Sequence, residues 1–184
     1  MAIQTGKRGR PRAITSGMLA EAACELFLEQ GYEATNVAEI AQRAGIARSS
    51  FFNYAPGKAE LLWASLDERI RAADDRLPVR ECVRALVEGF TPDALALAIA
   101  NAEAMQIEDH LEREGALRMK RIADLAASSL RREGADPLAA RVLGGAYGAA
   151  VLAAISTWAA SGAGSAPLEE HLERALGVLS DSSR

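Results

Sequence analysis

Residue types that commonly support catalysis or metal binding are scarce in this sequence. Its 184 residues include two cysteines, two histidines and 5% aromatic residues. Cys24 and Cys82 lack C-x-x-C spacing, and His110 and His171 each stand alone beside acidic residues. We therefore predict buried free thiols, solvated histidines and no metal site. No Ser-His-Asp set, glycine-rich phosphate loop or pair of carboxylate-rich helices is evident, so an enzyme is disfavoured and no cofactor is expected.

Signals for β-strands are also scarce. Runs of β-branched residues, Asn-Gly turns and period-two alternation are rare, whereas alanine is frequent and the periodic segments show the helical period. The chain is 49% hydrophobic and 25% charged, which is the composition of a globular protein with one large core or two small ones. We predict an all-α fold.

The first twelve residues, MAIQTGKRGRPR, contain no apolar segment of the kind that a secretory signal needs. They hold Lys7, Arg8, Arg10 and Arg12 and no acidic residue, although the whole chain has a net charge of −4. We expect a cytoplasmic protein in which residues 1–12 form a flexible basic arm directed at an anionic partner. A solubilising terminus without a binding role is the alternative.

One long segment, Val142 to Leu168, carries no charged residue and contains Gly144 and Gly148 as a G-x-x-x-G motif. A membrane-spanning helix therefore has to be considered. Most of the segment is Ala, Gly and Ser, which contribute little to insertion. We favour a closely packed helix of a soluble protein and expect no membrane contact.

Residues near the N-terminus have the spacing of three short helices. The first runs from about Ser16 to Gln30, with apolar residues at helical intervals. Asn36 is placed to cap the second, and Glu39 three residues later completes a capping box. After a turn at Gly45, the third runs from about Ala47 to Asn53. This pattern predicts a helix-turn-helix, whose last helix fits the major groove of B-DNA.

The segment from Leu26 to Leu62, LFLEQGYEATNVAEIAQRAGIARSSFFNYAPGKAELL, resembles the DNA-binding module of TetR-family transcriptional regulators. FFNY and P-x-K-x-x-L-L stand where that family has them. The resemblance implies a DNA-binding domain at residues 13–58 in which one set of side chains faces the bases and another contacts phosphate. The first set is Arg48, Ser49 and Asn53, and the second is Ser50, Tyr54 and Lys58, with Asn36 as a further DNA-binding candidate.

Three positions depart from the family pattern. Ala47 stands where a capping Ser or Thr is usual, Phe52 lacks the hydroxyl group of a Tyr, and Ala55 replaces an aromatic residue. The fold prediction does not depend on these positions.

Residues 59–184 are expected to form an effector-binding and dimerisation domain, in which the resemblance is limited to helix order and a few landmarks. Proline and capping residues predict where the helices begin. The predicted helices are a fourth from Lys58 to about Asp74, a fifth from Pro78, a sixth from Thr91 and Pro92, a seventh from Glu108 to Arg132, an eighth from Pro137 to about Ala160 and a ninth from Pro167.

Two sets of residues in this domain are candidates for binding. The last two helices resemble the dimer interface of the family, and a place in the protomer core is the alternative. The residues assigned to this interface are Val142, Gly145, Gly148, Ala149, Leu152, Leu168, Leu172 and Leu176. The candidate pocket residues, for each of which core packing is the alternative, are Trp63, Leu66, Cys82, Leu86, Phe90, Leu97, Met105, Leu125 and Tyr147.

The predicted function is that of a DNA-binding transcriptional regulator. The resemblance implies a homodimeric repressor that a small molecule releases from a palindromic operator. No charged pair is evident on an apolar face, which favours a lipophilic effector over a charged one. The partners are then double-stranded DNA, the effector and a second copy of the chain. The alternative is a TetR-like DNA-binding protein with a structural or nucleoid-associated role and no small-molecule switch.

Overall fold

The structure is a computed structural model that describes residues 15–163 and 165–181. Within these ranges every regular element is helical, which confirms the all-α prediction. The basic arm lies outside the described residues. The helices are α1 (Ser16–Gln30), α2 (Val37–Arg43), α3 (Arg48–Phe51), α4 (Lys58–Leu62), α5 (Ala64–Ala72), α6 (Val79–Ala85), α7 (Ala94–Ala100), α8 (Ala102–Met105), α9 (Glu108–Arg132), α10 (Pro137–Ala160) and α11 (Leu168–Asp181).

Helices α1 to α4 form an N-terminal unit, which we call the head. The side chain of Thr15 caps α1 by accepting the N–H of Met18 at 3.2 Å. The capping box of α2 forms as predicted, since the Asn36 side chain accepts the N–H of Glu39 and the Glu39 carboxylate accepts the N–H of Asn36. Buried side chains from these four helices hold the head together, and Phe27 and Phe51 among them are fully buried.

The predicted fourth helix is two helices in the structure. Trp63, at φ −93° and ψ 0°, separates α4 from α5. Its N–H bonds the carbonyl of Glu60 three residues back at 3.1 Å, so one tight turn of 3₁₀ type interrupts the α-helix. The connection between the head and the rest of the chain therefore contains a joint at Trp63.

Two further boundaries differ from the sequence prediction. The sixth predicted helix begins after Asp93, whose carboxylate accepts the N–H groups of Leu95 and Ala96, and not at Thr91 and Pro92. The short helix α8 was not predicted. It ends at Met105, because the next residue, Gln106, has a positive φ of 56°.

The long helices α9 and α10 pack against each other at close range. A Cβ added at Gly144 would lie 2.6 Å from the carbonyl oxygen of Ala123, and one added at Gly148 would lie 2.6 Å from that of Met119. The G-x-x-x-G motif therefore serves packing inside one chain, because only glycine leaves room for the two backbones to come this close.

Helix α10 is long and apolar enough to cross a membrane by length and composition. A single helix of this kind is weak evidence for a span, because the core helix of a soluble protein passes the same test. In this fold α10 packs against α7, α9 and α11. Part of its apolar surface, including Val151 and Ile155, is buried between these helices, whereas Leu138 and Val142 are exposed.

Four residues that the sequence analysis assigned to a dimer interface lie inside the protomer. Leu168, Leu172 and Leu176 of α11 are fully buried in the core. Gly148 faces α9. This corrects their assignment, because side chains already buried within one chain offer no surface to a second one. Val142, Gly145 and Ala149 are exposed, and Leu152 is half-buried.

Candidate nucleic-acid interface and ligand cavity

The last helix of the helix-turn-helix presents polar side chains to solvent. Arg48, Ser49 and Asn53 are exposed, whereas Phe51 is buried and fixes the helix to the head. Ser50 is half-buried. Phe52 is 54% exposed and packs edge-on against Phe51 at 5.5 Å between ring centroids. The exposed face is one guanidinium, one hydroxyl and one amide, which are groups that hydrogen-bond base edges.

The basic side chains of the head differ in whether they already have an acidic partner. Residues 15–62 carry three basic side chains, Arg43, Arg48 and Lys58, and six acidic ones. Arg43 is held by Glu25 at 3.1 Å and by Glu29 at 2.7 Å, so its charge is neutralised. Arg48 has no ion pair within the part of the chain that the structure describes. Arg48 is therefore the cation that this face offers to an anionic partner.

Lys58, which is predicted to contact phosphate, also makes contacts inside the head. Its Nζ donates to the carbonyl oxygens of Tyr32 at 2.5 Å and Thr35 at 2.8 Å. It also lies 3.9 Å from the centroid of the Tyr32 ring. Partial burial lowers the pKa of this amine. Because two of its three N–H groups are used, Lys58 fastens the turn between α1 and α2 to the start of α4.

Two other candidates for DNA binding are also engaged within the head. The side-chain oxygen of Asn36 accepts the N–H groups of Ala38 and Glu39 at 2.9 Å and 3.1 Å, which leaves its amide group for other contacts. Tyr54 is half-buried and packs against the core. The structure thus leaves Arg48, Ser49 and Asn53 exposed in and just after α3, and gives Asn36, Tyr54 and Lys58 contacts within the head.

A cavity of about 480 Å³ lies where α9 meets the Trp63 joint, α7, α8 and α10. We call it the α9 cavity. Its volume is in the range of small-molecule sites. Its wall is mostly apolar, and it is lined by Trp63, Ile99, Ala102, Glu108, Leu111, Glu112, Gly115, Ala116, Met119, Leu152 and Ser156.

Of the nine pocket residues suggested by sequence, Trp63 alone is among the residues that line this cavity. Five of the others are buried in the core, which is the alternative role considered for them; they are Leu66, Cys82, Leu86, Phe90 and Met105. Leu97 is 42% exposed, and Leu125 and Tyr147 are half-buried. The suggested set is corrected accordingly, since helix periodicity cannot separate a core residue from a cavity-lining one.

A buried ionic network lies behind Trp63. Arg118 is 2% exposed and pairs with Asp67 of α5 at 2.6 Å and with Glu114 one turn earlier on α9. Arg121 also reaches Asp67, at 3.0 Å. The Arg118 guanidinium lies 5.4 Å from the Trp63 ring centroid. The network fixes α5 to α9 beside the cavity wall.

A second set of contacts joins the cavity wall to the head. The N–H of Tyr32, in the turn between α1 and α2, donates to the carbonyl of Met105 at 2.9 Å. The Tyr32 ring lies 4.1 Å from that of His110, and His110 Nε2 is 3.1 Å from a Glu33 carboxylate oxygen. Residues 102–112 therefore line the cavity on one side and contact the head on the other.

Sequence reasoning missed Arg118, Glu114 and the contacts of residues 102–112 with the head. Arg118 and Glu114 have the spacing of an ordinary exposed ion pair on a helix, and their burial depends on α5 packing against α9. The αL residue Gln106 has no local sequence signal, because glycine or asparagine is usual in that conformation.

The cysteines are buried, as predicted. Cys24 donates its thiol to the Ala94 carbonyl at 3.4 Å, and burial raises its pKa to about 12. Burial raises the pKa of Cys82 to about 11. Within residues 15–163 and 165–181, no group of three or more His, Cys, Asp or Glu side chains is arranged to hold a metal ion.

Comparison with known proteins agrees with the helix-turn-helix geometry. Residues 19–64 match the model of the bacterial regulatory proteins of the tetR family. The chain is 38% identical over 74 residues to the HTH-type transcriptional regulator YdeS of Bacillus subtilis, covering 40% of this chain and 36% of YdeS. It is 33% identical over 88 residues to the HTH-type transcriptional activator FasR of Mycolicibacterium smegmatis, covering 44% and 40%.

The solved structures that resemble this chain extend the similarity in fold to most of its length. The dihydroxyacetone kinase operon activator DhaS superposes with a TM-score of 0.58 at 19% identity, over 93% of this chain and 97% of DhaS. NalD, the secondary repressor of the MexAB-OprM multidrug efflux pump in Pseudomonas aeruginosa, gives 0.51 at 20% identity, over 88% and 92%. The sequence matches span between about a third and about half of the length of the curated relatives. Residues 19–64 therefore belong to the DNA-binding module of the tetR family of bacterial regulatory proteins.

Proposed function

We propose that this protein is a transcriptional repressor that binds a palindromic operator as a homodimer and is released when a small molecule occupies the α9 cavity. The observation that carries DNA binding is the exposure of Arg48 and Ser49 on α3, the last helix of a helix-turn-helix, and of Asn53 just after it. Arg48 lacks an internal partner among the described residues, so its guanidinium is available for bidentate bonding to a guanine.

Because the head is net negative, the N-terminal arm supplies a large share of the affinity for DNA. The head is net negative, since its six acidic side chains outnumber its three basic ones. Phosphate neutralisation supplies most nonspecific affinity for DNA. The four basic residues of the arm therefore position the protein on the duplex, while the Arg48 face distinguishes its sequence.

A second copy of the chain fits the outer face of α10. Leu138 and Val142 are 71% and 64% exposed, and Gly145 and Ala149 continue the same face at helical spacing. An apolar patch of this kind is typical of a protein interface. An isologous contact through α10 and α11 would relate two heads by a two-fold axis, which matches a palindromic site.

Two routes connect the α9 cavity to the DNA-binding face. Trp63 lines the cavity at the joint between α4 and α5, and α4 begins at Lys58, which holds the turn of the head. Residues 102–112 touch the head through Met105 and His110. A ligand that moves either wall therefore shifts the head, and two shifted heads no longer match the two half-sites at once.

Operator selection tests this proposal. Duplexes with a randomised centre are selected on the full chain, and the affinities of the selected site and its point variants are measured. Arg48→Ala should weaken the free energy of operator binding by ~1–3 kcal/mol and remove the preference for one base pair in each half-site. Arg131→Ala, which removes an exposed arginine at the far end of α9, is the matched control and should keep both.

A reporter under the selected operator measures the direction of control, and repression requires a lower signal when the protein is present. Selection that yields no palindrome, or an Arg48→Ala variant with unchanged base preference, would refute operator reading by α3. It would favour the nucleoid-associated alternative, which needs no sequence preference.

A further inference from the structure

The α9 cavity carries charge of one sign. Glu108 and Glu112 lie one turn apart on α9, and both line the cavity. Neither carboxylate has an ion pair or a side-chain hydrogen bond within the described ranges, and no Lys, Arg or His lines this cavity. Both are exposed, so they form an acidic rim open to solvent.

The inner wall of the cavity is apolar and contains an unpaired donor. Trp63 is 3% exposed, and its indole Nε1 has no hydrogen-bond partner among the described residues. Its Cη2 and Cζ2 atoms lie 3.4 Å and 3.6 Å from where a Cβ at Gly115 would stand, beside Leu152. Nε1 is two bonds from Cζ2, on the same edge of the ring. A buried N–H without an acceptor is costly, so an occupant with an acceptor atom near this edge gains affinity.

We propose that the α9 cavity binds an amphiphilic organic cation. Its positive group lies between Glu108 and Glu112, and its largely apolar body lies against Trp63 and Leu152, with a hydrogen-bond acceptor opposite Trp63 Nε1. This inference rests on the proposed function, because it names the ligand class of the effector cavity, and it replaces the uncharged lipophilic effector expected from sequence. An anionic amphiphile would bring a third negative charge to the rim, so the same two carboxylates that attract a cation select against it.

Three probes with the same alkyl chain separate charge from hydrophobicity. Decyltrimethylammonium, 1-decanol and decanoate, each below its aggregation threshold, are titrated into the full chain by calorimetry without DNA. We expect the cation to bind most tightly and decanoate most weakly.

Two double variants then locate the charge. Glu108→Gln with Glu112→Gln should weaken the binding of decyltrimethylammonium by about 2- to 30-fold, the effect of two exposed charge interactions, and leave the affinity for 1-decanol unchanged. The control, Glu103→Gln with Asp109→Asn, removes two exposed charges next to the cavity that do not line it and should change neither affinity. Gly115→Leu places a side chain against Trp63 and Leu152 and should weaken all probes that bind in the cavity.

The proposal is overturned if no probe binds, if decanoate binds at least as tightly as the cation, or if the rim variant binds the cation like the control variant. Release of the selected operator is measured separately. Binding of the cation without release would leave the ligand class intact and would refute the effector role in the proposed function. Release by decanoate, with no binding of the cation, would refute the cationic ligand class and leave the effector role intact.

Discussion

The close approach of α9 and α10 makes a sharp prediction about stability. A Cβ at Gly148 would lie 2.6 Å from the Met119 carbonyl oxygen, and one at Gly144 would lie 2.6 Å from that of Ala123 and 2.9 Å from the Ala127 Cβ. The atoms in the way are backbone, so α9 and α10 must separate to admit a methyl group. Overpacking of this kind costs ~1–3 kcal/mol.

An opposing effect has to be subtracted. Replacing a glycine inside a helix by alanine stabilises the helix by ~1 kcal/mol. We therefore expect Gly144→Ala and Gly148→Ala to be destabilised by ~0–2 kcal/mol in total. Gly115→Ala is the matched control on α9. Its Cβ would meet Trp63 at 3.4 Å and Leu152 at 3.9 Å, which are ordinary contacts, so this variant should gain close to the full ~1 kcal/mol.

Urea unfolding followed by circular dichroism measures these differences. Gly144→Ala and Gly148→Ala should each be less stable than Gly115→Ala by ~1–3 kcal/mol, which corresponds to at least about 2 °C in Tm for a chain of this size. Equal or greater stability of the two α10 variants would refute the close approach of α9 and α10.

Three further predictions concern the DNA contact, the dimer and the thiols. Deleting residues 1–12 removes four positive charges. The slope of log affinity against log salt concentration, measured on one selected operator, should therefore become shallower by up to ~3.6 units. Identical slopes for the full and shortened chains would make the arm a solubilising tail. Val142→Glu should give a folded monomer in sedimentation, with greatly reduced operator affinity. Leu172→Arg should instead unfold the chain, because Leu172 is fully buried in the protomer. A folded, monomeric Leu172→Arg variant would contradict that burial. Cys24 and Cys82 should resist a thiol reagent in the native state at neutral pH and react together in denaturant, and fast native labelling would contradict their burial and their raised pKa values.

The sequence determined the features that depend on near neighbours in the chain. The α2 capping box needs only Asn36 and Glu39, three residues apart, and it formed as predicted. Asp136 and Pro137 begin α10, and the bounds of α9 agree with its predicted range. Interactions within one helical turn decide these features, so they can be predicted without knowing what packs against the helix.

Tertiary structure decided which face of each helix is covered and by what. Helix α10 is apolar on nearly every side, so its sequence did not reveal that Gly148 meets α9 while Gly145 faces solvent. The leucine stripe of α11 has the same spacing whether its own protomer or a second copy covers it, and the fold assigns Leu172 to its own core. The cavity and its acidic rim depend on five separate segments meeting at Trp63. Such contacts join residues far apart in the chain, and local periodicity carries no information about which partner fills the space opposite.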